Sequence, residues 1–439
     1  MRNNLLMFLL LSFGISASAQ NPKSFSLDEA ISYALGNSLS IKNAQIGIAD
    51  ANEQIKENKA IGLPTISANL GYNYYFKLPV SLVPAEFFGG QAGEFSKLAF
   101  GTKNNISAGI EAQTLLFDWS YLTGLKAARA YRDYSEEERT LTEVEVKNQV
   151  RSAYMPSLII EESKKTLAKN IDNVKQLRHE TSEMYKAGFV EQLDVDRLDL
   201  TIANLETELS NLDRQTQLIY NALKLVMNYP MDQGITVSDN LDKLLIEASQ
   251  EDLDGKINYT ARPEYRVAER GKSLNLLNIE YMKSTYYPNL SGFASYTQQG
   301  QSDDFFNNNI WTDVGIVGLK ASIPIYSGGG KKAKLHRAQL DLAKTENNIR
   351  SLERGIWLEI GNARIAYTNA KVRVAEQQKN LALAQRIYDT TQIKYKEGVG
   401  SSLEISQAEQ ALFQSQQNVI QARYELLLAK VDLDQALGK

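Results

Sequence analysis

The chain has 439 residues, 43% of them hydrophobic, which is enough apolar material for a large ordered structure and too much for a disordered one. Its 48 basic residues nearly balance 52 acidic ones, so no concentrated basic face is offered to nucleic acid. Cysteine is absent, which excludes disulfides, thiolate metal sites, a cysteine nucleophile and an amino-terminal lipid anchor on cysteine.

Residues 1–19 have the layout of an export signal: Arg2 gives the positive start, Leu5 to Ile15 the apolar core and Ala17-Ser18-Ala19 a small-residue cleavage site. That apolar run is too short to anchor the chain, so the mature protein is expected to begin near Gln20. No later segment holds 18 consecutive apolar residues. Any membrane crossing must therefore be made by strands.

The first strand is expected over about 65–77. Ile66, Ala68, Leu70, Tyr72, Tyr74 and Phe76 are apolar, while Thr65, Ser67, Asn69, Gly71, Asn73 and Lys77 are small or polar, giving one greasy and one wet face. A long loop, Lys77 to Lys103, follows. The second strand, about 104–117, sets Ile106, Ala108, Ile110 and Ala112 against Asn105, Ser107, Gly109, Glu111 and Gln113. Such strands match the roughly 9 to 11 residues of a tilted membrane strand, but a soluble antiparallel sheet alternates in the same way.

From about Tyr121 to Tyr185 the pattern is helical and, at about 1.5 Å per residue, roughly 100 Å long, with a bend expected at Pro156. A turn at Gly188-Phe189-Val190 ends it. Beyond the turn, Leu198, Ile202, Leu205, Leu209, Leu212, Thr216, Ile219, Leu223 and Val226 alternate steps of four and three, a heptad seam. Residues 20–228 thus form a first repeat. Residues 229–261 break the period and form a connector with a short helix expected at Leu241 to Ala248, a belt around the middle of a helical tube.

The second repeat, 262–439, replays the first. Strands are expected over about 289–298 and 312–325, with Leu290, Gly292, Ala294 and Tyr296, then Val317, Leu319, Ala321 and Ile323, on the apolar face; Phe293, Val314 and Ile316 break the alternation. The shorter loop, Gln298 to Asn309, joins them. A long helix from about Lys331 to Lys396 leads to the turn Gly398-Val399-Gly400, displaced 210 residues from the first. Adding 210 to the first seam gives Ala408, Leu412, Ser415, Val419, Ala422, Leu426, Ala429, Leu433 and Ala436, the same seam in smaller residues. His179 and His336 lie in charged helical stretches without companions at metal-ligand spacing, and are expected on solvated surfaces.

The fold class is therefore mainly α with a β-hairpin in each half of an internal duplication. Four strands leave two open edges, which lipid does not tolerate, so a membrane barrel must be shared between copies. Two copies would give a barrel filled by side chains, and three a twelve-stranded one with a wider lumen. Tyr72, Tyr74, Phe76, Tyr296 and Trp311 lie toward the hairpin tips, where an interfacial aromatic girdle would sit.

In order and spacing, Gln113-Thr114-Leu115-Leu116-Phe117-Asp118, Arg262-Pro263-Glu264, Ile323-Pro324-Ile325-Tyr326-Ser327-Gly328-Gly329 and the paired Tyr-x-x-Gly turns make the mature chain similar to the TolC-like outer-membrane efflux proteins. Leu115-Leu116 is one residue longer than the family pattern, which leaves the register of the second strand open. The resemblance implies a homotrimer, with a twelve-stranded outer-membrane barrel continued by a twelve-helix periplasmic tunnel. It also implies a periplasmic adaptor (membrane fusion protein) and an inner-membrane transporter as partners, and no cofactor. Gly188, Phe189, Val190, Gly398, Val399 and Gly400 match the tips that the family offers to adaptors. Asp194 and Glu404 match inward carboxylates that narrow the periplasmic mouth, Gln407 stands where a second acid often occurs, and Tyr395 matches a tyrosine that holds the closed state. Gly400 replaces an arginine found in some members, so part of that latch is missing or built differently. Read from position alone, Asp194 and Glu404 are helix-start acids favoured by the dipole.

The function expected is passive conduction across the outer membrane in efflux or type I secretion, with energy from the partner pump. No phosphate-binding loop, metal cluster or nucleophile constellation is present, so an enzyme is not expected. The rival reading is a periplasmic coiled-coil scaffold or adaptor without a pore.

Overall fold

The computed structural model describes residues 22–248, 257–304 and 310–439; the segment expected to be an export signal, the acidic run Glu251 to Asp254 and the end of the shorter loop lie outside the described residues. In chain order the elements are β1 (Lys23–Phe25), α1 (Leu27–Asn37), α2 (Leu39–Ala60), β2 (Thr65–Tyr74), β3 (Val80–Pro84), β4 (Phe95–Ala99), β5 (Asn104–Asp118), α3 (Trp119–Lys186), α4 (Gln192–Met227), β6 (Ile235–Val237), α5 (Leu241–Ala248), α6 (Pro263–Ser284), β7 (Asn289–Ser302), β8 (Ile310–Ser322), α7 (Gly330–Lys396) and α8 (Ser402–Leu437). The duplication is evident in the long helices: α3 and α7 have 68 and 67 residues, and α4 and α8 have 36 each. Helix α3 passes Pro156 without a break. His179 and His336 are both exposed.

The chain packs as two compact units that cut across the repeats: one takes residues up to Ala44, Arg139–Tyr265 and Leu352–Lys439, the other Gln45–Glu138 and Arg266–Ser351. The cause is strand pairing, because the hairpin of each half joins one sheet.

In the first unit the heptad residues carry the burial. On α4, Leu198, Thr216 and Leu223 are buried and the remaining seam positions half-buried; on α8 every seam position except Ser415 is buried. The polar interruptions bond to their own helix, Thr216 Oγ1 donating to Leu212 O at 2.7 Å and Ser415 Oγ to Ala411 O at 2.8 Å, which removes the cost of burying a hydroxyl. The connector closes one core region. Strand β1 pairs in parallel with β6, and the rings of Phe25, Tyr33 and Tyr229 meet at 5.4 to 5.7 Å. Tyr154, fully buried, points its hydroxyl at Phe25 O (2.9 Å) and Asp239 Oδ2 (3.0 Å), while the same carboxylate oxygen accepts from Leu27 N at 2.7 Å.

Arg262, which opens the Arg-Pro-Glu motif, pins this unit at a second point. Its guanidinium donates to Ala436 O (2.7 Å), Glu359 Oε2 (2.8 Å) and Glu264 Oε1 (2.5 Å), with the side chain 8% exposed. Removing the cation would leave two carboxylates and a helix-terminal carbonyl facing one another. Arg262→Ala is expected to cost about 3 kcal/mol, as for other buried pairs that lose one member. Thermal melts of the detergent-solubilised protein should show it, and Arg262→Lys should recover only part because a lysine cannot span three acceptors in a plane. An unchanged melting temperature would mean that the motif is not structural.

In the second unit the sheet order is β2-β5-β7-β8, all antiparallel. Its register places Ile66, Ala112, Ala294 and Val317 in one row and Ser67, Glu111, Ser295 and Ile316 in the next, so most apolar members of the four strands share one face, with Ile316 on the other. Phe293, which breaks the alternation, lies on the wet face opposite Gly318; a Cβ there would meet its ring at 2.7 Å, so the glycine makes room for it. The extra residue in Leu115-Leu116 becomes a bulge: Leu115 pairs with Ser291 and Phe117 with Leu290, leaving Leu116 unpaired.

Several boundaries depart from expectation. Strand β2 ends at Tyr74, so Phe76 lies beyond it; β7 continues to Ser302 because it pairs along β5 as far as Asn104; β8 runs from Ile310 to Ser322 and stops short of Pro324, which has no N–H to donate. The long loop is not irregular throughout, since β3 and β4 form a separate hairpin within it.

Candidate functional site

At the ends of the long helices in the first unit, glycine allows each chain reversal. Gly188 (φ 81°) and Gly398 (φ 74°) adopt the left-handed conformation that terminates a helix. Gly188 N donates to Tyr185 O at 2.9 Å and Phe189 N to Met184 O at 3.0 Å; Gly398 N donates to Tyr395 O at 3.1 Å and Val399 N to Lys394 O at 3.0 Å. These paired bonds satisfy the last carbonyls and push the next side chain outward. Phe189 and Val399 are accordingly 79% and 78% exposed, while Val190 and Gly400 are half-buried. Gly400 fits against backbone, because a Cβ there would meet Tyr395 N at 3.0 Å.

Both nominated acids sit at the same position of their helix. Asp194 Oδ2 accepts from Glu191 N at 3.2 Å, and Glu404 Oε2 from Ser401 N at 3.4 Å, each the third residue of a capping box. The helix-start role is thus real for both. Only Asp194 does more: its Oδ1 accepts from Ser402 Oγ, and that hydroxyl accepts from Arg197 Nη1 at 3.0 Å. This small network ties the start of α4 to the start of α8 across the repeat. Tyr395, 3% exposed, makes a second tie, its hydroxyl 3.3 Å from Thr181 Oγ1 of α3; burial, with Asp194 nearby, pushes the phenol pKa up, which keeps it a neutral donor. Lys396 and Glu180 add a half-exposed ion pair at 3.0 Å. Glu404 and Gln407 are exposed and have no part in these ties. Ser402, Arg197 and Thr181 escaped the sequence reading, since their partners lie about 200 positions away and no spacing announces them.

Within the second unit, the aromatic residues fall into rows. Tyr72, Ile106, Gly300 and Trp311 share one row, Tyr74 lies one turn of the pleat further out, and Phe76 follows the strand. Tyr296 does not join them: it lies in the row of Ala68, Ile110 and Gly315, part-way down the sheet. A second aromatic group, not anticipated, stands at the helical ends of the strands: Phe117 and Trp119 rings are 6.3 Å apart, Trp119 and Tyr287 6.0 Å, with all three at least 45% exposed. Ile106 and Phe117 are separated by ten rungs of β5 once the bulge is discounted. At about 3.3 Å each and a tilt of about 40°, that is about 25 Å, the height of the apolar band of an outer-membrane barrel. Ile66, Leu70, Val317 and Leu319, lying between, are 71% to 87% exposed. The edges β2 and β8 have no partner strand among the described residues. No described helix is long and apolar enough to cross a membrane.

The model of the outer membrane efflux protein family matches residues 30–229 and 262–439. The pyoverdine export outer membrane protein OpmQ of Pseudomonas aeruginosa is 22% identical over 422 residues, covering 94% of this chain and 85% of that protein. The outer membrane protein TolC of Escherichia coli is 23% identical over 360 residues, covering 76% of this chain and 70% of its own. Among solved structures, the outer membrane protein VceC of Vibrio cholerae superposes with a TM-score of 0.69 at 17% identity, over 94% of this chain and 96% of that one.

Proposed function

The chain belongs to the outer membrane efflux protein family, and from that premise we propose that three copies close one twelve-stranded barrel, through which substrates leave the cell passively. The protein is an outer-membrane efflux component and not an enzyme. Membership also sets aside the scaffold and adaptor readings. One observation carries the trimer: a four-stranded sheet whose one face, apart from Gln298 and Asp313 in the row next to Tyr72 and Trp311, is apolar between two aromatic bands, and whose edges are both open. In hydrocarbon each unpaired backbone group costs several kcal/mol, so the edges of neighbouring copies must pair.

Three copies bring Asp194 and Glu404 into rings at the helix tips. Such rings repel anions and resist complete closure, whereas the Asp194–Ser402–Arg197 network and the Tyr395–Thr181 contact hold the two repeats together. Opening is a shear of one helix pair against the other once these ties break. The exposed Phe189 and Val399 and the bare backbone of Gly188 and Gly398 supply surfaces to which a periplasmic adaptor docks, and an inner-membrane transporter supplies the energy.

Purified in detergent, the mature protein is expected to have the native mass of three chains, to separate only on heating, and to give cation-preferring channels in planar bilayers. A monomer released by buffer alone, or trimers without conductance, would overturn the reading.

A further inference from the structure

Between α3, α4, α7 and α8, above the tips, the first unit encloses a recess of about 600 Å³. Pockets of about 300 to 1,000 Å³ hold drug-sized molecules, typically with mostly apolar walls and a few placed polar groups. This recess is more polar than that: Leu205, Tyr388, Leu412 and Phe413 give it an apolar patch, and the rest of the wall is mostly asparagine and glutamine amides together with Ser406 and Glu409. Ser406 Oγ and Glu409 Oε2 are both sealed from water and lack a hydrogen-bond partner. They lie three residues apart on one face of α8 and both residues line the recess, so a small side-chain rotation brings the carboxylate and the hydroxyl, now just behind its wall, into the same space. One nearby pair of amides, by contrast, is matched, Asn170 Nδ2 donating to Gln416 Oε1 at 2.6 Å.

An acceptor of this kind needs a donor that carries charge. A metal ion would require more ligands than one carboxylate, and the described residues hold no group of three metal-binding side chains. An anion would be repelled. An ammonium on an apolar body meets these requirements, since the cation pairs with the carboxylate and the body lies against the Phe413 and Tyr388 side chains. We infer that this recess is a binding site for a protonated organic amine, its ammonium on Glu409 and Ser406 and its body against Phe413 and Tyr388. The site lies within one unit and requires no pore.

The charged and titratable groups around Glu409 are few. From α3, exposed Lys169 lines the recess, and Glu180 acts on Tyr388; from α7 come Tyr388 and Asp389; the lining residues of α4 are uncharged. Burial pushes the Glu409 carboxyl up to about 7. A carboxyl raised in this way is neutral below that value and ionised above it, so amine affinity rises with pH through about 7.

The test uses the full mature protein in detergent and tryptamine, whose alkylammonium stays protonated over this range, with tryptophol as its neutral isostere. Tryptamine is expected to bind saturably at pH 8 and about tenfold more weakly at pH 6, following the ionised fraction of Glu409. Tryptophol should bind at least about tenfold more weakly than tryptamine at pH 8, where the ion pair is worth at least 1.4 kcal/mol. Glu409→Gln should erase both the preference and the pH dependence. Phe413→Ala should weaken both compounds while keeping the pH profile. Absence of saturable binding, equal binding of tryptophol, an unaltered Glu409→Gln profile, or unweakened binding in Phe413→Ala would each overturn the assignment.

Discussion

Replacing Ile66 with arginine is expected to prevent the protein from assembling in the outer membrane. Ile66 is 75% exposed and shares its row with Ala112, Ala294 and Val317, with no polar side chain beside it. That row lies near the middle of the distance between the two aromatic bands, where arginine on a lipid-facing strand costs about 2 to 4 kcal/mol. In a trimer the cost is incurred three times. Ser67→Arg is the control, because the neighbouring residue projects to the opposite, wet face beside Glu111 and Ser295. Heat-modifiable trimer in the outer-membrane fraction should vanish for the first variant and persist for the second. Equal yields of the two would mean that neither face meets lipid.

Ser402→Ala should produce the largest change in gating. The hydroxyl donates to Asp194 and accepts from Arg197, so its loss breaks both sides of the tie between α4 and α8. Hydrogen bonds to charged groups contribute about 1.5 to 3 kcal/mol. Each subunit would then shift toward the open arrangement by about tenfold or more, since 1.36 kcal/mol is a factor of ten. A higher open fraction in single-channel records is the expected result, and Asp194→Ala should behave alike while also losing its cap. Glu404→Ala should change cation preference rather than opening, because Glu404 is exposed and bonds within its own capping box. Unchanged conductance and selectivity in all three would remove these residues from the gate.

Much of this was legible in the residues because it is periodic. The heptad positions from Leu198 to Val226 and from Ala408 to Ala436 predicted the buried face of α4 and α8, as packing requires apolar contact at every turn. The strand alternation likewise predicted which residues share a face for most positions, and the surplus residue at Leu115-Leu116, which left the register open, proves to be a bulge. What escaped detection is not periodic. Nothing near Ser402 indicates Asp194, because the two meet only when the repeats fold together. The band of Phe117, Trp119 and Tyr287 was obscured by its division between strand ends and helix starts. Its nearness in sequence to the hairpin tip points Tyr296 to the girdle, whereas register sets it four residues along β7 from Gly300 and the Trp311 row.

The absence of cysteine makes the trimer directly testable. Within one chain β2 and β8 are separated by β5 and β7, about 14 Å at about 4.8 Å per strand, beyond the roughly 7 Å that a disulfide can bridge. Asn69→Cys can be combined in turn with Thr312→Cys, Val314→Cys and Ile316→Cys, all on the wet face, and oxidised in intact outer membranes. Edge pairing between copies predicts that at least one combination yields covalent dimers and trimers. Monomer alone from every combination, with the thiols shown to be reactive, would contradict a barrel shared between chains.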